Sequence, residues 1–203
     1  MVREQERSKV RRQRVLDAAL DIFTRDGYGD TLVDEIARRS ETSKGGVYFH
    51  FPSKEALFIA LLDEMAKLLL GRVERAIAAE ADPIARGTAA LRAVLENFGS
   101  HRALARLLLV EALGAGHQFN VKMAEMHQQF ADLIKEQLAD AVAQGLVPPL
   151  DLDIVSVAWY GAINQVVTRW VLTGQPERLE DAYPALRRLL LNGVGLPTGE
   201  TEQ

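Results

Sequence analysis

The side chains with the most chemistry to offer stand close together, at Thr42, Ser43, Lys44, Gly45, Tyr48, Phe49, His50 and Lys54, with Thr31 shortly before them. Their hydroxyl, phenol, ammonium and imidazole groups donate hydrogen bonds, the chemistry that phosphate oxygens accept. Gly45 and the neighbouring Gly46 let a backbone approach closely. Other chemistries lack their parts. No two of His50, His101, His117 and His127 are four residues apart, and there is no cysteine, so a helical metal site has no ligands. No Gly-x-Ser-x-Gly, P-loop or dinucleotide fingerprint occurs, and Gly114-Ala115-Gly116 is too short for a phosphate loop. The carboxylates are numerous, but carboxylates on helix surfaces are usually solvated. No catalytic set, metal or cofactor is expected.

Two short helices separated by a tight turn position the donor set. Thr31 is expected to cap the first helix, with Asp34 reaching back to complete a capping box. Leu32, Ile36 and Ala37 give that helix an apolar face. Thr42 or Ser43 caps the second, over residues 44–50, which Pro52 stops; Ser53 caps the helix after it. So short a helix is marginal in water, and Val47 and Phe51 must anchor it. A helix-turn-helix inserts such a second helix into the DNA major groove, N-terminal residues first. A plain helical hairpin with a polar surface is the bland alternative, and short text of this kind is common by chance.

Here the match extends well past the bare pattern. Ala18-Ala19, Phe23, Gly27-Tyr28, Thr31, Glu35-Ile36-Ala37, Ser43-Lys44-Gly45, Val47-Tyr48, His50-Phe51, Ser53-Lys54 and Leu57 resemble the DNA-binding domain of the TetR (tetracycline repressor) family of transcriptional regulators, over about a quarter of the chain. The resemblance implies an all-α fold of nine helices. It places a helix-turn-helix domain at residues 1–54 and a ligand-binding and dimerisation domain at 55–203. It further implies double-stranded operator DNA as partner, a hydrophobic small-molecule effector, and a homodimer formed through the last two helices. Two departures stand out. Glu41 occupies a turn position where many members have Gly, so a positive φ there would be mildly strained. Gly46 offers no side chain in the middle of the recognition helix.

Composition agrees with a globular, helical protein. A chain of 203 residues can bury a real core, and Ala and Leu dominate it. No apolar run is long enough to span a bilayer, the start has no secretory signal, and the lack of cysteine suits a reducing cytoplasm, where a nucleoid-associated regulator belongs. The net charge of −4 hides an asymmetry: residues 1–54 carry 11 Lys+Arg against 9 Asp+Glu, and residues 55–203 carry 13 against 19. Residues 1–14 alone hold six basic and two acidic side chains, beside the helix-turn-helix, as phosphate binding requires. A solvated tail, disordered until DNA is present, also fits that run.

Periodicity places a first helix over about 8–26 and a long helix after Ser53, running to about residue 80, as a lever between the domains. Further helices are expected over 83–98, 101–113, 119–144, 154–173 and up to about 192, with a loose tail over 195–203. The 154–173 helix is apolar on two sides, Val155, Trp159, Ala162, Ile163, Val166 and Trp170 on one, Val157, Tyr160, Val167 and Val171 on another, which favours a dimer. Leu186, Leu189, Leu190 and Val194 would meet the partner.

The helices at 101–113, 119–144 and 154–173 are expected to line the effector site. Phe98, Leu108, Phe119, Met123, Met126, Phe130, Trp159, Tyr160 and Ile163 offer apolar lining; Glu111, His127 and Asn164 offer polar groups. For any one of these, simple core packing is the bland alternative. The stretch Gly161-Ala162-Ile163 to Trp170-Val171 resembles the same region of fatty-acid-degradation repressors of the family, which respond to long-chain acyl-CoA. Arg102, Arg106 and Arg169 are the cations that would hold its phosphates. Acyl-CoA or a fatty acid, and hence control of lipid metabolism, is therefore the first choice of effector. A drug or aromatic compound that controls efflux is the second. An all-helical carrier or enzyme of acyl groups is the rival from another class.

Overall fold

The computed structural model describes residues 2–111 and 116–196, with the side chains of residues 2, 3 and 111 left aside. Among the described residues it is all helical, with nine α-helices: α1 Val2–Asp26, α2 Val33–Arg39, α3 Lys44–His50, α4 Lys54–Ala78, α5 Pro83–Ser100, α6 Arg102–Arg106, α7 His117–Ala143, α8 Leu152–Thr173 and α9 Tyr183–Gly193. A π-helical turn, Leu107–Glu111, continues α6, and a 3-10 turn, Leu179–Ala182, leads into α9. Periodicity shows neither irregular turn. The 3-10 turn settles where α9 begins: Pro184 lies in its first turn, where a missing N–H costs nothing. α1 starts six residues earlier than periodicity suggests, so the basic run is helix rather than a disordered arm. α5 runs on through Gly99 and Ser100 instead of breaking there. The expected break at Gly114-Ala115 and the tail over 197–203 lie outside the described residues, whereas Leu196 is packed.

The chain forms two compact units. One holds Met1–Lys67 with Arg106–Lys122, the other Leu68–Ala105 with Met123–Gln203. The boundary expected after residue 54 thus falls inside the first unit, which keeps the start of α4.

In the first unit α1, α2 and α3 pack on one another. Val15, Leu16, Ala19, Ile22 and Phe23 of α1, Ile36 and Val47, and Leu57, Phe58 and Leu62 of α4 are buried. Beside them lies an aromatic cluster. Tyr28 stacks on Phe58 at 4.6 Å between centroids, Phe58 meets Phe23 edge-on at 5.1 Å, and Phe119 of α7 contacts Tyr28 and Phe58, each at 5.3 Å. Phe119 is 0% exposed and Lys122 pairs with Asp63 at 2.5 Å, so the first turns of α7 belong to this unit.

In the second unit α5 packs on α9 and the 3-10 turn, and α8 packs on both of these. Leu138, Ala141, Val147, Leu191, Val194 and Leu196 form a core, against which Trp159, Val155 and Ile134 rest. Asp82 caps α5 through Ala85 N, Asp151 caps α8 through Ile154 N, and Gly174 ends α8 in a left-handed conformation. Because Phe119 fills a buried aromatic cluster, Phe119→Ala should cost about 3–5 kcal/mol. Denaturant unfolding followed by tyrosine fluorescence checks this; a loss below about 1 kcal/mol would show that the cluster is loose.

Candidate nucleic-acid interface

α3 exists because both its ends are fixed. Ser43 caps it, its hydroxyl accepting from Gly46 N at 3.1 Å. Val47 is buried on its inner face, and Phe51, buried at its end, donates its N–H to Val47 O. Thr42 sits before the cap rather than in it, and its hydroxyl bonds Ser40 O. The turn from α2 contains Glu41 at φ 51, so the strain foreseen for that residue is present. Gly46 is explained by space: a Cβ there would lie 2.7 Å from the Thr42 methyl and 3.2 Å from the capping Ser43 Oγ.

The outward face of α3 carries Ser43, Lys44, Gly45, Tyr48 and Phe49, all exposed, with His50 half-buried. Phe49 is 80% exposed, more than an unpartnered aromatic normally is, and its ring meets His50 edge-on at 5.2 Å. Lys44 reaches Asp34 of α2 at 2.9 Å, an exposed pair that a phosphate can replace at little cost. Burial first, and then the charges of Arg11 and Arg12, hold the His50 imidazole below the ordinary histidine range.

Three expectations for this region change. Thr31 does not cap α2: it is buried, and its hydroxyl donates to Gly27 O at 2.7 Å. It therefore fixes the loop between α1 and α2 rather than offering a donor to DNA. The residue at the cap is Leu32, which makes no side-chain cap and is 67% exposed rather than on the buried face. Lys54 is also committed inward. Its ammonium donates to Tyr28 O, Gly29 O and Thr31 O at 2.8, 3.1 and 3.0 Å, and lies 4.6 Å from the Tyr28 ring centroid. A lysine has three donors, so none is left for a phosphate.

Of the residues expected at an effector site, the second unit brings one group together. His127 and Phe130 of α7 contact Tyr160 of α8, with centroids 5.1 and 6.2 Å apart, and the Tyr160 hydroxyl bonds Asn164 Oδ1 at 3.3 Å. Burial pushes the Tyr160 phenol up and the His127 imidazole down. Met123 and Met126 are buried on α7, Phe98 is buried on α5, and Ile163 is half-buried on α8. The rest part company with the group. Phe119 lies in the aromatic cluster of the first unit, Leu108 and Arg106 also belong to that unit, and Trp159 rests on the α7–α9 core. Arg102 caps the end of α8, donating to Trp170 O and Val171 O at 3.3 and 2.9 Å with its guanidinium over the Trp170 ring. It is a helix-end cation rather than a phosphate ligand. The Glu111 side chain lies outside the described residues.

Residues 15–61 match the bacterial regulatory proteins of the tetR family, and residues 62–193 match the C-terminal region of YsiA-like proteins. The chain belongs to the TetR family of transcriptional regulators. It is similar to the fatty acid metabolism regulator protein of Bacillus subtilis, at 22% identity over 89% of this chain and 93% of that one. It is also similar to the transcriptional repressor KstR2 of Mycolicibacterium smegmatis, at 26% identity over 94% and 93%. The fold matches the FadR regulator from Bacillus subtilis solved in complex with stearoyl-CoA, with a TM-score of 0.82 and 22% identity over 90% of this chain and 98% of that one. The protein is a ligand-responsive, operator-binding repressor that dimerises, and no described helix is long and apolar enough to cross a membrane.

Lys54→Met strands three carbonyls and should lower stability by about 1–3 kcal/mol while leaving the salt dependence of DNA binding unchanged. Thermal unfolding and anisotropy titrations at several salt concentrations check it; a shallower salt slope would return Lys54 to the phosphates. His127, whose pKa is lowered from 6.5 by burial, gives a second test. The unfolded chain takes up the proton first as pH falls, so this group's stability contribution is full above pH 6.5 and is lost as pH drops from there through the folded value. His127→Gln should flatten the acid side of the curve of melting temperature against pH, and an unchanged curve would place the acid sensitivity elsewhere.

Proposed function

We propose that this repressor reads its operator through Ser43, Lys44, Gly45, Tyr48, Phe49 and His50, and that a long-chain acyl-CoA or fatty acid releases it. The observation that carries the effector reading is the His127–Phe130–Tyr160–Asn164 group. It is a set of aromatic faces with a few polar atoms, and Met123 and Met126, buried on the same helix as His127 and Phe130, are side chains that adapt to a flexible chain. The stearoyl-CoA complex of the similar Bacillus regulator supports the same class of ligand. With Arg102 committed to α8 and Arg106 in the first unit, the exposed Arg169 of α8 is the candidate cation for the phosphates of an acyl-CoA. The ligand shifts operator affinity only by its difference in affinity for the two conformations of the protein.

Dimerisation through α8 and α9 rests on apolar side chains that one chain leaves uncovered. Ile154, Val157 and Leu172 of α8 and Leu189 of α9 are exposed. Trp170, expected in the interface, is only 5% exposed in the single chain, and Leu186, Leu190 and Val194 are buried there as well. The interface reading therefore passes to the other face of α8. Leu189, 62% exposed, is the clean probe. Leu189→Asp should give monomers by sedimentation and remove operator binding together, with the fold intact. A dimer of unchanged strength would overturn the α8–α9 interface.

The effector is tested by native mass spectrometry of freshly purified protein, then by a gel shift with oleoyl-CoA and stearoyl-CoA on a duplex the protein selects from a random pool. Release by acyl-CoA, weakened at least about tenfold in Tyr160→Ala, is the expected result. Release by a drug or aromatic compound, with none by any acyl-CoA, would reject the lipid reading and keep the repressor.

A further inference from the structure

The core of the first unit begins at Val15, yet α1 begins at Val2. Between Glu4 and Arg14 every side chain is exposed except the half-buried Ser8. About three turns of helix, roughly 16 Å, thus project beyond the packed part. A solvated helix of this length gains nothing from packing and is marginal without a partner. Its composition says what that partner is. Arg7, Lys9, Arg11, Arg12 and Arg14 outnumber Glu4 and Glu6, and the sole large apolar side chain, Val10, is itself half in solvent.

The cations are arranged. Arg7, Arg11 and Arg14 fall at i, i+4 and i+7, on one face of the helix. None of the three has an ion-pair partner among the described residues, although Glu4 borders the same face and the rest of this unit is rich in pairs such as Arg39–Asp21 and Arg25–Glu35. The helix is tied to the reading head at its base: the Arg12 guanidinium lies 5.1 Å from the centroid of Phe51, the residue that ends α3. Arg11 and Arg12 are near enough to His50 for their charges to weigh on its imidazole. The stripe therefore starts beside the C-terminal end of α3 and leads away from it. A duplex carries a phosphate every few ångströms of its length, so cations placed beside α3 face a dense row of negative charge once α3 is bound.

We propose that the Arg7–Arg11–Arg14 face of the projecting α1 helix is a second phosphate-binding surface, which grips the duplex backbone outside the bases that α3 reads. Guanidinium groups suit the task because they bind phosphate oxygens in pairs and stay charged at every relevant pH. The contact carries no sequence information; it lengthens the footprint and adds salt-sensitive affinity. It rests on the DNA-binding reading given above, and it concerns a surface that α3 itself does not supply.

The test uses the full chain and a random-sequence duplex of about 40 base pairs, so that neither operator nor effector need be known. Fluorescence anisotropy gives the dissociation constant between about 50 and 200 mM salt. The variant Arg7→Gln/Arg11→Gln/Arg14→Gln keeps a good helix former at exposed positions, and circular dichroism checks the fold. Losing three phosphate contacts should reduce the salt slope by roughly 3 per subunit and weaken binding at least about tenfold. The triple Arg→Lys variant should keep the wild-type slope, which a merely structural role of these side chains would not explain. If wild type and the Gln variant bind the duplex with the same slope, the surface is a solvated face and the proposal is wrong while the repressor reading stands. If the wild type does not bind the duplex at any salt concentration, both fall.

Discussion

The recognition helix depends on a cation that turns inward, onto the backbone. α3 has seven residues and cannot hold its own shape in water. The loop before α2 is fixed by Lys54, whose ammonium gathers the carbonyls of Tyr28, Gly29 and Thr31 and rests on the Tyr28 ring. Tyr28 in turn stacks on Phe58 and meets Phe119 edge-on. One lysine and three aromatic rings thus join the loop after α1, the start of α4 and the start of α7. Take the ammonium away and three oriented carbonyls repel one another at the point where α2 begins.

That arrangement gives the unit its economy. Because the loop and the cap at Ser43 are held from behind, the outward face of α3 is free to present Tyr48 and Phe49 without also having to bury them. Exposed aromatic side chains cost solubility, and a protein keeps them where a partner covers them. The strained Glu41 and the side-chain-free Gly46 belong to the same logic: the turn is tight because α3 must lie close against the α2 end, and the Thr42 methyl occupies the space a Cβ at Gly46 would need. The second unit differs in kind. Its Tyr160 and His127 are half-buried polar groups on which desolvation already weighs, pushing the phenol up and the imidazole down.

Much of this was legible before the structure. Ser43, Pro52 and Gly27 are punctuation with a direct backbone meaning, and the apolar periods of α1, α4 and α8 show where helices run. Less legible was what each side chain meets. Periodicity puts Trp170 on an apolar face but does not say that its own chain covers it, with Arg102 over the ring. A helix over 119–144 was plain, yet nothing in the period tells Phe119, packed with Tyr28, from Met126, two turns further on. Thr31 reads as a cap from its type and place; the deciding fact is the shape of the turn before α2, which brings the carbonyl of Gly27, four residues back, within reach of the hydroxyl. Local signals ran out where donors are satisfied by distant backbone.

The central claim is that the exposed face of α3 meets DNA while α8 and α9 do not. Hydrogen–deuterium exchange of the full protein, with and without the duplex it selects from a random pool, tests this most directly. The account predicts slower exchange over residues 43–50 and over the projecting turns of α1, with residues 152–173 and 183–193 unchanged. Protection confined to α8 and α9, with residues 43–50 exchanging as they do in the free protein, would contradict it.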